Sequence, residues 1–408
     1  MSRARPIAVV LFAAAPAAAQ QPFFMGLGDL PGAAFASHAL GVSQDGLVVV
    51  GMGHSTAANQ PFRWTPSTGM LNLRGFSAAQ GGGGYPSGYA NAVSSDGRVV
   101  VGASDQAAGF SAPFRWTQET GMIRIGPLPG GQVGGRANAT NADGSIVVGL
   151  ARSSIGDTEA FRWTSAAGMT GLGILGTGPD ERRYSDAADV SAEGSVIVGA
   201  STSPQGEQAF RWTAAAGLVG LGDLPGGAFF SQAAAVSADG STIVGCGTSS
   251  GQQAFQGQQA FRWTAATGMV ALDLLPGWIS TCARAVSGDG SVVVAEAQTD
   301  INGLYEAFIW TPAMGPRSLR DFLRYDVGID MTGWWPIAAA SISDDGRYVV
   351  GSAYNRYDFA EAYLARLPEP ATAALLLFAL GVLRNIRPPR RGLSPAGAGE
   401  QSGGPSRP

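Results

Sequence analysis

The sequence predicts an all-β fold, a seven-bladed β-propeller of four-stranded blades closed by its N-terminal strand. Three observations lead there. The tetrapeptide Phe-Arg-Trp-Thr stands at Phe62–Thr65, Phe114–Thr117, Phe161–Thr164, Phe210–Thr213 and Phe261–Thr264, with a sixth copy at Phe308–Thr311 in which Ile309 replaces the arginine. Its tryptophans are 52, 47, 49, 51 and 47 residues apart, and a period near fifty is the mark of a repeat architecture. Tight-turn dipeptides recur between alternating apolar runs: Asp45-Gly46, Asp96-Gly97, Asp143-Gly144, Glu193-Gly194, Asp239-Gly240, Asp289-Gly290 and Asp345-Gly346. Such turns need positive φ and are strong local hairpin signals. Finally, the two ends of the repeated region are complementary fragments of one unit.

In chain order, residues 1–19 come first. Arg3 and Arg5 precede a short apolar core from Ile7 to Ala15, and small residues lead to a cleavage position between Ala19 and Gln20. This is the pattern of a secretory signal peptide, and it predicts export.

Residues 20–367 follow as the repeats. In the fifth unit, Ala233–Ser237 is a predicted strand, Ser237–Gly240 the turn and Ser241–Gly245 a second strand. Gln259–Thr264 is a third strand, Ala265–Gly268 a turn and Met269–Leu274 a fourth. Four short antiparallel strands per fifty residues describe a propeller blade. The seventh unit has a hairpin and a third strand, Ala360–Leu367, but no fourth. The chain opens with Gly26-Leu27-Gly28-Asp29-Leu30-Pro31-Gly32, which matches the blade end Leu221–Gly226. Phe23–Leu30 therefore supplies the missing outer strand, and pairing first with last removes exposed edges.

Composition narrows the function. The chain has 408 residues, 14% charged, with 60 glycines and a net charge of −4. There is no basic stripe, so nucleic acid is not an expected partner. Two cysteines and two histidines supply little material for a metal or nucleophile site, and no cofactor is expected.

Beyond the repeats, Pro368-Glu369-Pro370 precedes the apolar run Ala371–Leu383 and then Arg384, Arg387, Arg390 and Arg391. Thirteen apolar residues are short against the roughly 20 of a full span. They allow a marginal transmembrane anchor with the arginines at the cytoplasmic side. Residues 368–391 closely resemble the PEP-CTERM sorting signal of exosortase-bearing Gram-negative bacteria. That resemblance implies an exosortase-type partner, transient inner-membrane anchoring, cleavage near Pro368–Pro370, and release to the cell surface or medium. Residues 392–408 are read as a disordered tail. The Phe-Arg-Trp-Thr units, with Asp326–Trp335 and Ile342–Gly346, resemble the HAF-repeat family of extracellular bacterial proteins over roughly residues 26–367. This resemblance implies no particular activity.

Individual residues were weighed against structural roles. Phe and Trp of Phe-Arg-Trp-Thr share a strand face, and a residue repeated in six units reads as packing rather than as a sugar platform. The arginine head is expected on an acidic or carbonyl group, and the turn aspartates are expected in turn chemistry rather than on calcium. His38 and His54 lie in one unit without a third ligand, so no metal site is expected. Asp180, Glu181, Asp326 and Asp330 are the candidate carboxylates of a glycoside-cleaving pair, with solvated loop charge as the alternative. Variable stretches are where a site is expected: Gly81–Tyr89, Thr177–Ser185, Gln252–Phe255 with its echo Gln258–Phe261, and Trp334-Trp335. Cys246 and Cys282 allow one pairing, and an oxidising compartment favours a disulfide staple between units five and six over two buried thiols.

The function expected first is a monomeric, secreted surface or matrix protein with a binding or structural role and no catalysis, its partners extracellular polysaccharide or surface proteins. A secreted lyase or hydrolase acting on polysaccharide is the alternative, and a protein-interaction scaffold a third reading. An enzyme should bring His, Tyr, Arg, Asp or Glu together from several units, whereas the inter-strand loops read as mostly Gly, Ala and Ser.

Overall fold

The computed structural model describes residues 21–369, apart from 33–34, 56–57, 77–86, 106–109, 155–157, 250–256 and 300–302. The signal segment with Ala19 and Gln20, most of Gly81–Tyr89, Gln252–Phe255, Pro370 and the apolar run that follows lie outside the described residues. Among those described, no helix is long and apolar enough to cross a membrane.

The chain is all-β, built as four-stranded antiparallel sheets in which each strand pairs with its sequence neighbour. Unit one shows the plan: Ser37–Val42, Val49–His54, Asn59–Thr65 and Gly69–Asn72. Units four and five share one eight-stranded sheet, because Glu207 and Phe230 form a parallel bridge. In the seventh unit, Trp335–Ile342, Tyr348–Tyr354 and Ala360–Arg366 are joined by Phe23–Gly26, which runs antiparallel to Ala360–Arg366 with Phe23 opposite Arg366. This strand is shorter than the predicted Phe23–Leu30. Gly28 takes φ 79°, turning the chain, and Leu27 and Leu30 are buried instead. The turn is built as it is between units four and five. Asp29 accepts from the N–H groups of Leu30 and Ala36 at 2.8 and 2.9 Å, as Asp223 does from Leu224 and Phe230 at the same distances.

Each sheet is buried by its neighbour. The second-strand Val99 and Val101 of unit two lie in one cluster with Phe161 of unit three. Val48 and Val50 meet Phe114, Ile146 and Val148 meet Phe210, and Val196 and Val198 meet Phe261. Val244 meets Phe308, Val292 and Val294 meet Tyr363, and Val350 of the seventh unit meets Phe62 of the first. All six Phe-x-Trp-Thr phenylalanines are fully buried, and Tyr363 takes their place in unit seven. The repeated Phe and Trp are thus packing residues. The arginines between them bind carbonyls: Arg63 reaches Gly97 O at 3.3 Å and Arg115 reaches Gly144 O at 3.3 Å, each in the Asp-Gly turn of the next unit.

Those turns are locked by their own sequence. In Ser43-Gln44-Asp45-Gly46, the Ser43 hydroxyl donates to the Asp45 carboxylate (2.7 Å) and accepts from Val48 N–H (3.0 Å). The carboxylate also takes Leu47 N–H at 2.9 Å. Turn chemistry therefore occupies these aspartates. The residue after the serine links the units. The N–H of Gln44 donates to Ser95 O, Ser95 to Ala142, Ala142 to Ala192, Ala192 to Ala238, Ala238 to Gly288 and Gly288 to Asp344, at 2.8–3.2 Å.

One element was not expected. Leu319–Asp321 and Phe322–Val327 form a short α turn and a π turn between units six and seven. Leu319, Phe322 and Leu323 are buried, an i, i+3, i+4 spacing that carries a helical period in a chain otherwise read at period two.

Candidate functional site

The first strands of all seven units converge on a common channel. Its wide end is a cavity of about 720 Å³ lined by His38, Asn91, Arg136, Asp186, Gln232, Arg284 and Ala338, among others. The narrow end, about 150 Å³, lies inside the hydrogen-bonded turn residues from Gln44 to Asp344.

The first strand follows one pattern, in which an invariant buried alanine separates two variable positions. The residue before that alanine is His38, Tyr89, Arg136, Asp186, Gln232, Cys282 and Ala338 in units one to seven. The residue after it is Leu40, Asn91, Asn138, Ala188, Ala234, Arg284 and Ala340. The register skips this second position in every unit, as between Ala137 and Ala139. It is therefore a β-bulge, a device that re-aims a side chain, here toward the channel. The bulge also explains a glycine. A Cβ on Gly199 would lie 1.9 Å from Asp186 O, and one on Gly51 would lie 2.0 Å from His38 O.

The polar groups concentrate on units three to five. Arg136 Nη2 pairs with Asp186 at 2.5 Å, while its Nε donates to Asn138 at 3.0 Å. Asn138 in turn donates to Asp186 at 2.7 Å and to Ala187 O at 2.8 Å. Burial pushes the Asp186 carboxyl up, against the opposing pull of Arg136 and Asn138. Gln232 donates to Glu207. Burial, reinforced by a hydrogen bond to Glu207, raises the Tyr184 phenol well above its ordinary range. Across the channel Arg284 pairs with Glu296. His38 Nδ1 lies 2.8 Å from Ser352 Oγ, and burial followed by the nearby His54 lowers its pKa. The wall of unit seven is plain by contrast, with Ala338, Ala339 and Ala340. Deeper in, the enclosed Asp189 accepts from Val190 and Val236 N–H groups at 2.8 and 2.9 Å, and burial raises its carboxyl to about 7.

Chemically, this wall offers donors and acceptors side by side: guanidinium beside carboxylate, amide beside carboxylate, phenol beside carboxylate. A hydroxyl group both donates and accepts, so such a surface matches it.

The carboxylates named from sequence do not meet here. Asp180 pairs with Arg182 at 2.6 Å on an exposed turn, where Glu181 takes φ 65°. Asp326 pairs with Arg317 at 2.9 Å, and Asp330 accepts from Thr332 N–H at 2.9 Å. His54 ends the second strand of unit one beside His38, and among the described residues no group of three His, Cys, Asp or Glu could hold a metal. Of the variable stretches, Thr177–Ser185 reaches the cavity through Tyr184, and Tyr89, the last residue of Gly81–Tyr89, lies near Arg136 and Asp186. Cys246 and Cys282 are placed as a disulfide, Cα atoms 4.8 Å apart, in the channel wall. Both sit inside strands, Thr242–Ser249 and Ser280–Val286, rather than at strand ends. Of the Pro368–Pro370 motif, Glu369 pairs with Arg347 at 2.8 Å, just after Leu367 N–H bonds Arg347 O at 2.7 Å.

The sequence pointed to the loops, whereas Arg136, Asp186, Gln232 and Arg284 of the cavity wall come from the first strands. The signal lay in the repeats themselves. Aligned by their turns, Ser-x-Asp-Gly in all units but Asn141–Gly144 and Ser191–Gly194, the units keep the strand alanine and change the residues on either side of it.

No family model matches this chain. No curated protein matches it in sequence. Solved structures do. Oligogalacturonate lyase from Vibrio parahaemolyticus is similar with a TM-score of 0.51 and 12% identity, over 86% of this chain and 98% of that one. The β-propeller domain of the Trilobed protease from Pyrococcus furiosus, described as having an open velcro topology, gives 0.50 and 10%, over 85% and 95%. A prolyl endopeptidase gives 0.50 and 12%, over 86% of this chain and 50% of that one. At these identities the likeness shows a β-propeller scaffold and nothing of function.

Proposed function

We propose that this β-propeller is an exported, monomeric binding protein. It holds a hydroxyl-rich ligand, extracellular polysaccharide above all, in the wide end of its channel without turning it over. One observation carries the reading. In a chain whose packing and turn residues repeat unit after unit, the seven equivalent positions before the strand alanine hold seven different residues, His38, Tyr89, Arg136, Asp186, Gln232, Cys282 and Ala338, and all but Tyr89 line the wide cavity. Packing favours repetition, whereas recognition of one asymmetric ligand favours difference. Two of the carboxylates lining the space are held in ion pairs, Asp186 by Arg136 and Glu296 by Arg284, which suits fixed hydrogen bonding better than proton transfer at those two.

In this proposal the ring has seven blades, and the strand Phe23–Gly26 closes it. Support comes from the pairing of Phe23–Gly26 with Ala360–Arg366 and from the cluster joining Val350 and Leu364 to Phe62 and Val49. Export through residues 1–19 and sorting through Pro368-Glu369-Pro370 belong to the same proposal, on the sequence patterns given above. Replacing Glu369 in an exosortase-bearing host should leave the protein in the membrane. An intact C-terminal tail found by mass spectrometry on released protein would contradict that.

A second reading, a polysaccharide lyase or hydrolase, draws on Asp186, a carboxyl raised by burial beside a guanidinium in an open cavity. One experiment separates the two. The full chain is applied to an array of neutral and uronate-bearing glycans, and the eluted glycans are sized. Retention with unchanged glycan length supports binding. Shortened glycans, with the shortening lost in Asp186→Asn, would establish the enzyme.

A further inference from the structure

The wide mouth carries an aromatic rim at unit seven. Trp335 and Tyr354 are cross-strand partners at the open end of unit seven, with their side chains on the same face of the sheet. They are 44% and 42% exposed. Tyr357 and Phe359, 63% and 48% exposed, follow on the connecting turn, and Phe35 packs on Phe359 at 5.9 Å. Exposed aromatic groups this close together mark binding surfaces. The Trp335 ring is held in place: the Arg320 guanidinium lies 4.5 Å from its centroid, and Arg320 Nε donates to Trp334 O at 3.1 Å. Trp334, the other half of the pair, is packed inward against Phe24 at 5.3 Å. The two tryptophans thus divide the roles that sequence left open, one packed inward and one presented.

The same two strands run from this rim into the channel. Trp335 is three residues from Ala338, and Tyr354 two from Ser352, both in the wall of the wide cavity. At the rise of an extended strand, three residues cover about 10 Å. The surface therefore passes from stacking rings at the rim, past the alanine wall of unit seven, to the paired donors and acceptors of Arg136, Asp186 and Glu207 opposite. A ligand that uses all of it needs flat apolar faces and hydroxyl edges in succession.

We propose that the channel takes an oligosaccharide chain of several rings, stacked on Trp335 and Tyr354 at the rim and hydrogen-bonded at its inner end by the Arg136–Asp186–Asn138 network. This rests on the binding role proposed above and adds to it a second subsite and a length requirement. A monosaccharide uses the inner network alone. The rim contributes only to longer chains, and its aromatic contact strengthens their binding roughly three- to tenfold.

The test uses the full chain and immobilised glycans of one, three and six rings, from neutral and from uronate-bearing series, with Trp335→Ala, Trp335→Phe and Arg136→Ala compared at equal thermal midpoint. Wild type should hold six-ring glycans more tightly than single rings of the same series. Trp335→Ala should remove that preference while leaving single-ring binding within twofold, and Trp335→Phe should restore it. Arg136→Ala should weaken every length. If wild type shows no length preference, or Trp335→Ala leaves it intact, the rim subsite is overturned while the channel site stands. If wild type holds no glycan at all, the binding role itself is wrong and the subsite falls with it.

Discussion

Asp189 shows how much one residue in the channel depends on its surroundings. Its carboxyl is enclosed between units four and five, bonded to Val190 and Val236 N–H, and raised to about 7 from an ordinary 3.8. A carboxyl with a folded-state pKa above its unfolded value binds more protons when folded. Between about pH 4 and 7 it therefore lowers stability as pH rises, by up to about 1.4 kcal/mol per pH unit for a single group. The turn carboxylates Asp143, Asp239 and Asp289 are shifted down and act in the opposite sense, so the difference between wild type and Asp189→Asn is the useful quantity. Relative to wild type, Asp189→Asn should gain stability from pH 4 to pH 7, as followed by denaturant melts. A parallel pH dependence in both proteins would show that Asp189 is ionised throughout. Residue roles that repeat were legible in the sequence, such as the buried Phe and the mostly half-buried Trp, the turn aspartates and the arginine on a carbonyl. His38, Arg136, Asp186 and Gln232 were harder to see. Each occurs once, in strands that read as apolar and small, and their convergence on one cavity depends on how distant units pack together.

At the level of elements, each sheet is stabilised from the next unit. Phe161 is fully buried against Val99 and Val101, so Phe161→Ala removes a ring from an inter-unit cluster and should cost about 3–5 kcal/mol in a chemical melt. A cost below about 1 kcal/mol would mean that the units do not depend on that contact. The Cys246–Cys282 link ties the second strand of unit five to the first strand of unit six across a separation of 36 residues. In the chain-entropy picture its removal costs roughly 3–4 kcal/mol. Thiol counting on denatured, unreduced protein should find no free thiol, and Cys246→Ser with Cys282→Ser should melt earlier. Two free thiols per chain would remove the link. Strand order and turn positions were readable because an Asp-Gly or Glu-Gly turn punctuates every unit. The bulges were not, since a skipped register leaves no mark beyond a glycine such as Gly199 opposite the buried Phe210. Nor was the helical segment from Leu319 to Val327, whose few apolar residues interrupt the repeat only once.

For the whole molecule, first and last segments share one sheet. Phe24 stacks on Tyr363 at 4.9 Å and meets Trp334 edge-on at 5.3 Å. Phe24→Ala should loosen that junction first. Amide exchange along Ala360–Arg366 should quicken well before exchange along Ile146–Ala151 in unit three, and equal rates at both would argue against a ring held at this seam. The match between Gly26–Gly32 and Leu221–Gly226 pointed to the pairing of Phe23–Gly26 with Ala360–Arg366. It did not point to the difference between the repeats being concentrated on the first strands. That difference is the basis of the proposed function, and one double substitution tests it most directly. Replacing Arg136 and Asp186 together by alanine removes an ion pair without stranding either charge. Glycan retention and thermal midpoint are then measured on the same protein. Lost retention with a midpoint within a few degrees of wild type is the expected result, and full retention with that midpoint would contradict a binding site in the channel.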